Sequence, residues 1–156
     1  MKIKLLAVGT KMPSWVTQGY NEYAKRMPRE MVLELVELPL GARGKNADVQ
    51  RAIQKESDAI LSHIDKTDHV IALEVKGHNW TTEKLAQNME RWQMDGLTVV
   101  LLVGGPDGLS DACRARANQQ WSLSALTLPH PIVRVLLSEQ IYRAWTVTQN
   151  HPYHRS

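Results

Sequence analysis

The chain of 156 residues alternates between strand-like and helix-like segments along its whole length. Short apolar runs predict five strands, at residues 2–8, 32–38, 70–75, 98–103 and 122–128. Apolar residues at helical spacing predict five helices, at about 14–27, 47–64, 82–94, from 110 onward, and 132–148. Such alternation is typical of a mostly parallel sheet covered by helices on both faces. We therefore predict one α/β domain over residues 1–156, with a five- to six-stranded sheet.

The composition excludes several classes of protein. Apolar residues make up 43% of the chain and charged residues 22%, as in globular proteins. No segment approaches the roughly 20 apolar residues of a membrane span, and the apolar start at residues 2–8 is too short for a signal peptide. Cys113 is the single cysteine, and no Cys/His cluster has zinc-ligand spacing. We therefore expect a cytoplasmic protein that uses no metal.

Positive charge is concentrated toward the C-terminal end of the chain. Residues 112–156 contain five arginines and one acidic residue, a net charge of +4. The first 111 residues contain 14 basic and 15 acidic residues, a net charge of −1. Because the planar guanidinium of arginine suits phosphate groups, this asymmetry favours an anionic partner such as a nucleic acid. A basic solvated surface is about equally consistent with the charge alone.

The loop Gly104-Gly105-Pro106-Asp107-Gly108 follows a predicted buried strand, at the end where parallel sheets bind ligands. Glycines at such a position let a ligand approach the backbone closely. The loop is not a Walker A motif, because the Lys-Ser/Thr pair is absent. It also lacks the Gly-x-Gly-x-x-Gly fingerprint, which disfavours an NAD-dependent oxidoreductase. Taken alone, a loop of this kind is more often a tight turn than a ligand site.

The stretch 123–128 is apolar except for Ser124 and Thr127. Backbone groups between apolar walls would suit an adenine ring, although a core strand is the simpler interpretation of the stretch alone. Pro129 and Pro131 favour an extended chain that then begins a helix. We predict that His130, between the two prolines, is structural rather than a catalytic base.

The tail of the chain carries more reactive side chains than a frayed end needs, namely His151, Tyr153, His154 and Arg155. Tyrosine can stack on a base, arginine can bind phosphate, and histidine can transfer a proton. On the last predicted helix, Glu139 and Arg143 are four residues apart, in the order that favours an ion pair. The basic loop 43–46 is a second candidate phosphate contact, or simply a basic loop.

Five segments of the chain, taken together and in this order, match one known family. They are Leu102 to Ser110, Trp121 to His130 and Asn150 to Arg155, with Val8 to Lys11 and Arg43 to Ala47. These segments closely resemble bacterial methyltransferases of the SPOUT superfamily that act on a pseudouridine of 23S ribosomal RNA. The resemblance covers essentially the whole chain. It implies a C-terminal trefoil knot, a homodimer, and S-adenosylmethionine bound in the knot.

The resemblance also assigns residues to the site by position. The implied cofactor contacts are Leu73, Gly104, Leu123, Ser124, Ala125, Leu126, Thr127 and Leu128. The residues implied to face the RNA, in a site completed by the partner subunit, are Glu139, Arg143, Tyr153, His154 and Arg155. The implied reaction is methyl transfer to N3 of a pseudouridine in 23S ribosomal RNA, in the ribosome or its large subunit.

The chemistry of this reaction is compatible with these residue types. N3 of a uracil ring is a weak acid and must lose its proton before it attacks a methyl group. Arg143 and Arg155 would stabilise the resulting anion, while alignment of the reactants supplies proximity. The proton acceptor remains open between His154, Glu139 and bulk water. A rival interpretation is a non-catalytic, ribosome-associated RNA-binding module of the same fold, in which the glycine loop is only a turn.

Overall fold

A computed structural model of the chain describes residues 1–44 and 48–155, without the side chains of residues 154 and 155. Its strands are β1 (Lys2–Val8), β2 (Val32–Leu38), β3 (His69–Asn79), β4 (Thr98–Val103) and β5 (Gln119–Ser122). Its helices are α1 (Ser14–Ala24), α2 (Val49–Ser62), α3 (Thr82–Met94), α4 (Asp111–Arg116) and α5 (His130–Thr148). A short 3-10 helix, Pro152–Arg155, follows α5.

The five strands form one sheet in the order β2-β1-β4-β3-β5, and every neighbouring pair is parallel. The central strand β4 is buried on both faces from Val99 to Val103, which explains its uninterrupted apolar sequence. Residues of α1, α3 and α5 form the core on one face, and residues of α2 and α4 form it on the other. The prediction of an α/β fold with a helix-covered parallel sheet is therefore confirmed.

The prediction of a strand over 122–128 is wrong. Strand β5 covers Gln119–Ser122, and the stretch 123–129 is irregular. Side-chain hydrogen bonds turn the chain here, because the Ser122 hydroxyl donates to the Ser124 carbonyl at 2.9 Å and the Leu126 amide donates to Ser124 Oγ at 3.0 Å. Leu126 is consequently 73% exposed, so the apolar sequence of this stretch does not reflect a buried strand.

Strand β3 extends beyond the predicted 70–75 and pairs with β5 around an irregularity. Both Leu73 and His78 align with Trp121, so the intervening residues bulge out of the ladder. A Cβ atom at Gly77 would lie 2.8 Å from the carbonyl carbon of Gln120, too close for any side chain. Glycine at this position lets β3 rejoin β5 after the bulge. The bulge places residues 74 and 75 at the edge of the cavity described below.

Arg134 joins the start of α5 to the end of β1. Its side chain is 1% exposed, and its Nη2 donates to the carbonyl of Gly9 at 2.7 Å and to that of Val8 at 3.4 Å. Its Nη1 donates to Glu37 Oε2 at 2.5 Å. Gly9 has a φ of 121°, a conformation that favours glycine and that turns its carbonyl toward this guanidinium. The buried arginine thus satisfies backbone acceptors beside the sheet.

Replacing Arg134 with methionine is expected to lower the free energy of unfolding by about 2–4 kcal/mol, because two buried carbonyl groups lose their donor. The matched control is Arg91→Met on the exposed side of α3, where we expect a change within about 0.5 kcal/mol. Urea denaturation of both variants measures the difference. Equal stabilities for the two variants would contradict this role of Arg134.

Within the described residues, no helix combines the length and the apolar composition needed to cross a lipid bilayer. In the same part of the chain, no group of three or more His, Cys, Asp or Glu side chains is placed to hold a metal ion.

Candidate active site

A cavity of about 220 Å³ opens at the bulge of β3 and beyond the carboxyl ends of β4 and β5. Three segments and the first turn of α5 form its walls. The segments are residues 73–75, residues 103–106, 108 and 109, and residues 121, 123, 124 and 126–128. The helix α5 contributes His130 and Val133. This is the edge of the sheet where the sequence predicts a ligand site. Of the eight predicted cofactor contacts, seven line the cavity: Leu73, Gly104, Leu123, Ser124, Leu126, Thr127 and Leu128. Ala125 does not.

The glycine loop, defined here as residues 104–109, contains a hydrogen-bonded backbone turn. The Gly108 amide donates to the Gly105 carbonyl at 3.0 Å, which closes a turn around Pro106 and Asp107. A Cβ atom at Gly104 would lie 2.6 Å from the carbonyl carbon of Gly108. Gly108 itself has a φ of 81°. The packing of the loop on itself therefore requires glycine at 104, and the left-handed backbone favours glycine at 108, whether or not a ligand approaches the loop.

Arg43, predicted as a possible phosphate contact, is engaged within the protein. Its Nη1 donates to Glu56 Oε2 at 2.8 Å, and its Nε donates to Asp107 Oδ2 at 2.8 Å. These two ion pairs connect the loop after β2 to α2 and to the glycine loop. The interpretation of Arg43 as a free phosphate contact is therefore not favoured by the structure. Lys45 and Asn46, the other candidates of that loop, lie outside the described residues.

His130 lies at the start of α5, half-buried beside the glycine loop and the cavity. Burial lowers the pKa of its imidazole below the usual 6.5, and the contact with the backbone of Gly105 opposes this effect only in part. The charge of nearby Arg134 lowers the pKa further. The imidazole is therefore neutral at physiological pH, and its structural role stays a prediction.

Acidification is expected to remove part of the stability of the fold through His130. Because the pKa of His130 is lowered in the folded protein, the unfolded chain binds a proton first as the pH falls. The contribution is complete above about pH 6.5 and is lost as the pH falls through the folded pKa. Urea unfolding at about pH 7.5 and pH 5.5 should show a smaller acid-induced loss for His130→Gln than for the wild type. Identical losses would exclude this role.

Glu139, Arg143 and Tyr153 form a hydrogen-bonded cluster, although 14 residues separate the first from the last. Glu139 Oε1 accepts from Arg143 Nε at 2.9 Å and from the Tyr153 hydroxyl at 3.0 Å. The Arg143 guanidinium carbon lies 5.0 Å from the centre of the Tyr153 ring. Burial and the bond to Glu139 raise the pKa of Tyr153 to about 12, so its hydroxyl is a donor at neutral pH. The predicted ion pair of Glu139 with Arg143 is present.

An aromatic cluster holds the tail against α1 and α5. The Tyr153 ring meets the Tyr142 ring edge-on, with 4.8 Å between centroids. The guanidinium of Arg26, two residues beyond the end of α1, lies 5.2 Å from the ring centre of Tyr23, 5.5 Å from that of Tyr142 and 6.0 Å from that of Tyr153. These contacts explain why the 3-10 helix at the chain end is docked rather than frayed. The side chains of His154 and Arg155 lie outside the described part of the structure.

The cavity and the Glu139 cluster lie at different places along α5. His130 and Val133 face the cavity, whereas Glu139 and Arg143 do not line it. At 1.5 Å per residue, Glu139 is about 14 Å and Arg143 about 20 Å further along the helix than His130. The structure thus brings together seven of the eight predicted cofactor residues at the cavity. It brings together three of the five predicted RNA-side residues at a separate place.

Two residues near the cavity and the Glu139 cluster, Glu56 and Arg26, are not predicted from the sequence. Glu56 is 3% exposed and lies in line with buried Ala52 and Ile60 on α2, four residues from each. An acidic residue at that position of an apolar stripe is a signal that could have revealed a buried ion pair. Arg26 offers a weaker signal, because its partner Glu22, at 2.6 Å, makes it look like an ordinary exposed helix pair.

The cavity lies at the bulge of β3 and beyond the ends of β4 and β5, between the glycine loop and the stretch 123–128. This arrangement is that of an α/β protein with a small-molecule site at one edge of a parallel sheet. The chain belongs to the SPOUT methyltransferase family: the family profile, described as "Predicted SPOUT methyltransferase", matches residues 1–154.

Two relatives are similar over essentially their whole length. The ribosomal RNA large subunit methyltransferase H of Hahella chejuensis is 66% identical over 155 residues, which cover 99% of each chain. The protein of the same name from a Marinomonas species is 62% identical over 155 residues, 99% of this chain and all of that one. Among solved structures, a probable methylase family protein from Haemophilus influenzae Rd KW20 has a TM-score of 0.57 and 15% identity. The match covers 95% of this chain and 66% of that one, and it supports the fold alone.

Proposed function

We propose that the protein is an S-adenosylmethionine-dependent methyltransferase that modifies N3 of a pseudouridine in 23S ribosomal RNA of the large ribosomal subunit. The observation that carries this proposal is the cavity at the bulge of β3 and the carboxyl ends of β4 and β5, lined by seven of the eight residues expected to contact the cofactor. The names of the two relatives, which match the whole chain, support ribosomal RNA as the substrate. The cytoplasm, where ribosomes are present, is the compartment that this function requires.

The residues of the cavity fit S-adenosylmethionine. Leu73, Val103 and Leu128 offer apolar walls for an adenine ring, and the irregular backbone of the stretch 123–128 offers amide and carbonyl groups to its edge. When bound, the cofactor supplies an electrophilic methyl group on a sulfonium centre. Glu74 lines the cavity and adds a carboxylate that could face the positive charge of the cofactor. Arg114 Nη1 donates to Glu74 Oε1 at 3.3 Å and so helps to hold this carboxylate in place. The chain thus supplies shape and polarity rather than a metal or a nucleophile.

In this proposal Arg143, oriented by its ion pair with Glu139, supplies positive charge to the RNA side. Arg143 would stabilise the anion that forms when N3 of the pseudouridine loses its proton. Glu139 already accepts bonds from Arg143, Tyr153 and, at 2.7 Å, from Gln140 Nε2. Its carboxylate is therefore better suited to orient Arg143 and Tyr153 than to take up the proton. His154 and bulk water remain as proton acceptors, with Arg155 as a second positive charge in the proposal.

A homodimer is part of this proposal, because one subunit separates its cavity from its RNA-side cluster along α5. The cluster of one subunit would meet the cavity of the other, so that each active site is built from two chains. We also include the C-terminal trefoil knot implied by the resemblance. It is supported by the way in which the glycine loop and the stretch 123–128 close around one cavity before α5 returns to pack between α1 and α3.

The test is transfer of a radiolabelled methyl group from S-adenosylmethionine to ribosomes and large subunits from a strain that lacks this protein. We expect label in 23S ribosomal RNA, at one pseudouridine, and none in ribosomes from the parent strain that are already methylated. Titration calorimetry with S-adenosylmethionine separates the enzyme from a non-catalytic RNA-binding module, for which no binding is expected. Absence of label on every ribosomal substrate would contradict the proposed function.

A further inference from the structure

We propose that Arg43 is a positioning residue for cofactor binding, which holds the glycine loop in the shape that forms one wall of the cavity. This assignment rests on the proposed function, since it takes the cavity as the site of S-adenosylmethionine. Arg43 does not line the cavity, and neither do its partners Glu56 and Asp107. Its effect on the cofactor is therefore indirect, through the backbone of the loop.

The guanidinium of Arg43 bridges two carboxylates that belong to different elements. On one side it forms a two-pronged pair with Glu56, from Nη1 to Oε2 at 2.8 Å and from Nη2 to Oε1 at 3.3 Å. On the other side Nε donates to Asp107 Oδ2 at 2.8 Å, in the turn of the glycine loop. A planar fork of donors can serve two carboxylates at once, which the single ammonium of lysine cannot do with the same geometry.

The fixed end of this bridge is rigid. Glu56 is 3% exposed, and its Oε2 also accepts from the Gly41 amide at 2.8 Å. A Cβ atom at Gly41 would lie 2.6 Å from the Ala52 carbonyl oxygen, so the loop after β2 packs tightly against α2. Arg43 Nη1 further donates to the Gly41 carbonyl at 3.0 Å. The guanidinium is therefore anchored before it reaches the glycine loop.

The second contact of the Arg43 guanidinium is with the glycine loop, through Asp107. A Cβ atom at Gly105 would lie 2.8 Å from Glu56 Oε1, so the loop lies directly on the buried carboxylate. Asp107 is at the tip of the turn, between Pro106 and Gly108, which both line the cavity. A turn with three glycines has little conformational preference of its own. The bond from Arg43 to Asp107 thus stabilises one conformation of the loop, and this conformation forms one wall of the cavity.

The variants Asp107→Ala and Arg43→Lys test this role, because both release the loop tip while Glu56 keeps a cationic or amide partner. We expect S-adenosylmethionine to bind about tenfold more weakly in each, and the double variant to be no weaker than the worse single one. At saturating cofactor the methyl-transfer rate should equal that of the wild type, since the RNA-side cluster is untouched. Asp107→Glu should recover part of the affinity, which a general loss of structure would not allow.

The matched control is Asp58→Ala, which removes an exposed aspartate of α2 that accepts a hydrogen bond from Gln54 and does not line the cavity. Its cofactor affinity should equal that of the wild type. Wild-type affinity in both Asp107→Ala and Arg43→Lys would overturn the role of Arg43 and leave the proposed function intact. Failure of the wild-type protein to bind S-adenosylmethionine would instead overturn both.

Discussion

Replacing Gly104 with alanine is expected to weaken S-adenosylmethionine binding by about 10- to 100-fold. The added Cβ atom would lie 2.6 Å from the carbonyl carbon of Gly108 and 2.8 Å from the amide nitrogen of Leu109. Both are backbone atoms that cannot rotate away, so the glycine loop itself must move. Overpacking of this kind costs about 1–3 kcal/mol, and a loss of that size in the bound state corresponds to the expected change in affinity.

Titration calorimetry with S-adenosylmethionine measures the effect of Gly104→Ala. Gly44→Ala is the matched control, because a Cβ atom at Gly44 meets nothing within 4 Å and its backbone is not in the left-handed region. We expect wild-type affinity for this control. If Gly104→Ala bound the cofactor as tightly as Gly44→Ala does, the glycine loop would not form a wall of the cofactor site.

The sequence is sufficient to place four of the five strands and all five helices approximately, because apolar residues in strands and in helices follow different spacings. The buried run from Val99 to Val103 and the stripe of Leu85, Met89 and Trp92 on α3 are both where their spacing places them. The stretch 123–128 misleads, because leucines at 123, 126 and 128 look like a buried strand. Their apolar side chains line an open cavity instead, and serine side chains supply the turns that no period reveals.

The site is predictable in position but only partly in composition. The glycine loop follows from its place after β4, yet the sequence does not show why it needs glycine: Gly104 contacts backbone atoms of the same loop, and Gly105 lies against the carboxylate of Glu56. Arg43 and Asp107 are 64 residues apart, and their pairing depends on how two loops meet at one edge of the sheet. The sequence predicts Tyr153 and Glu139 on the same side of the site, but it does not reveal the contact of the Tyr153 ring with Arg26, just beyond the end of α1, that helps to fix the tail.

At a cofactor concentration well below the wild-type dissociation constant, a heterodimer of a Gly104→Ala chain and an Arg143→Ala chain is expected to regain about half of the wild-type methyl-transfer rate, although each parent homodimer is nearly inactive. Gly104→Ala impairs the cavity, and Arg143→Ala removes the positive charge that stabilises the developing anion, an effect of about 10²- to 10³-fold. If a site combines the cavity of one subunit with the cluster of the other, the mixed dimer has one intact site and one doubly defective site. Co-expression with two different tags and tandem purification yields this heterodimer.

The reciprocal arrangement provides the control. A chain carrying both Gly104→Ala and Arg143→Ala, paired with a wild-type chain, places one defect in each shared site, so this heterodimer should be nearly inactive. A site built within a single chain predicts the opposite pattern, with half of the activity in the second heterodimer and almost none in the first. The separation of about 14 to 20 Å along α5 favours the shared site, because a methyl group held in the cavity could not reach Arg143 of the same chain. Activity confined to the second heterodimer would instead show that the cavity and Arg143 of one and the same chain form the active site.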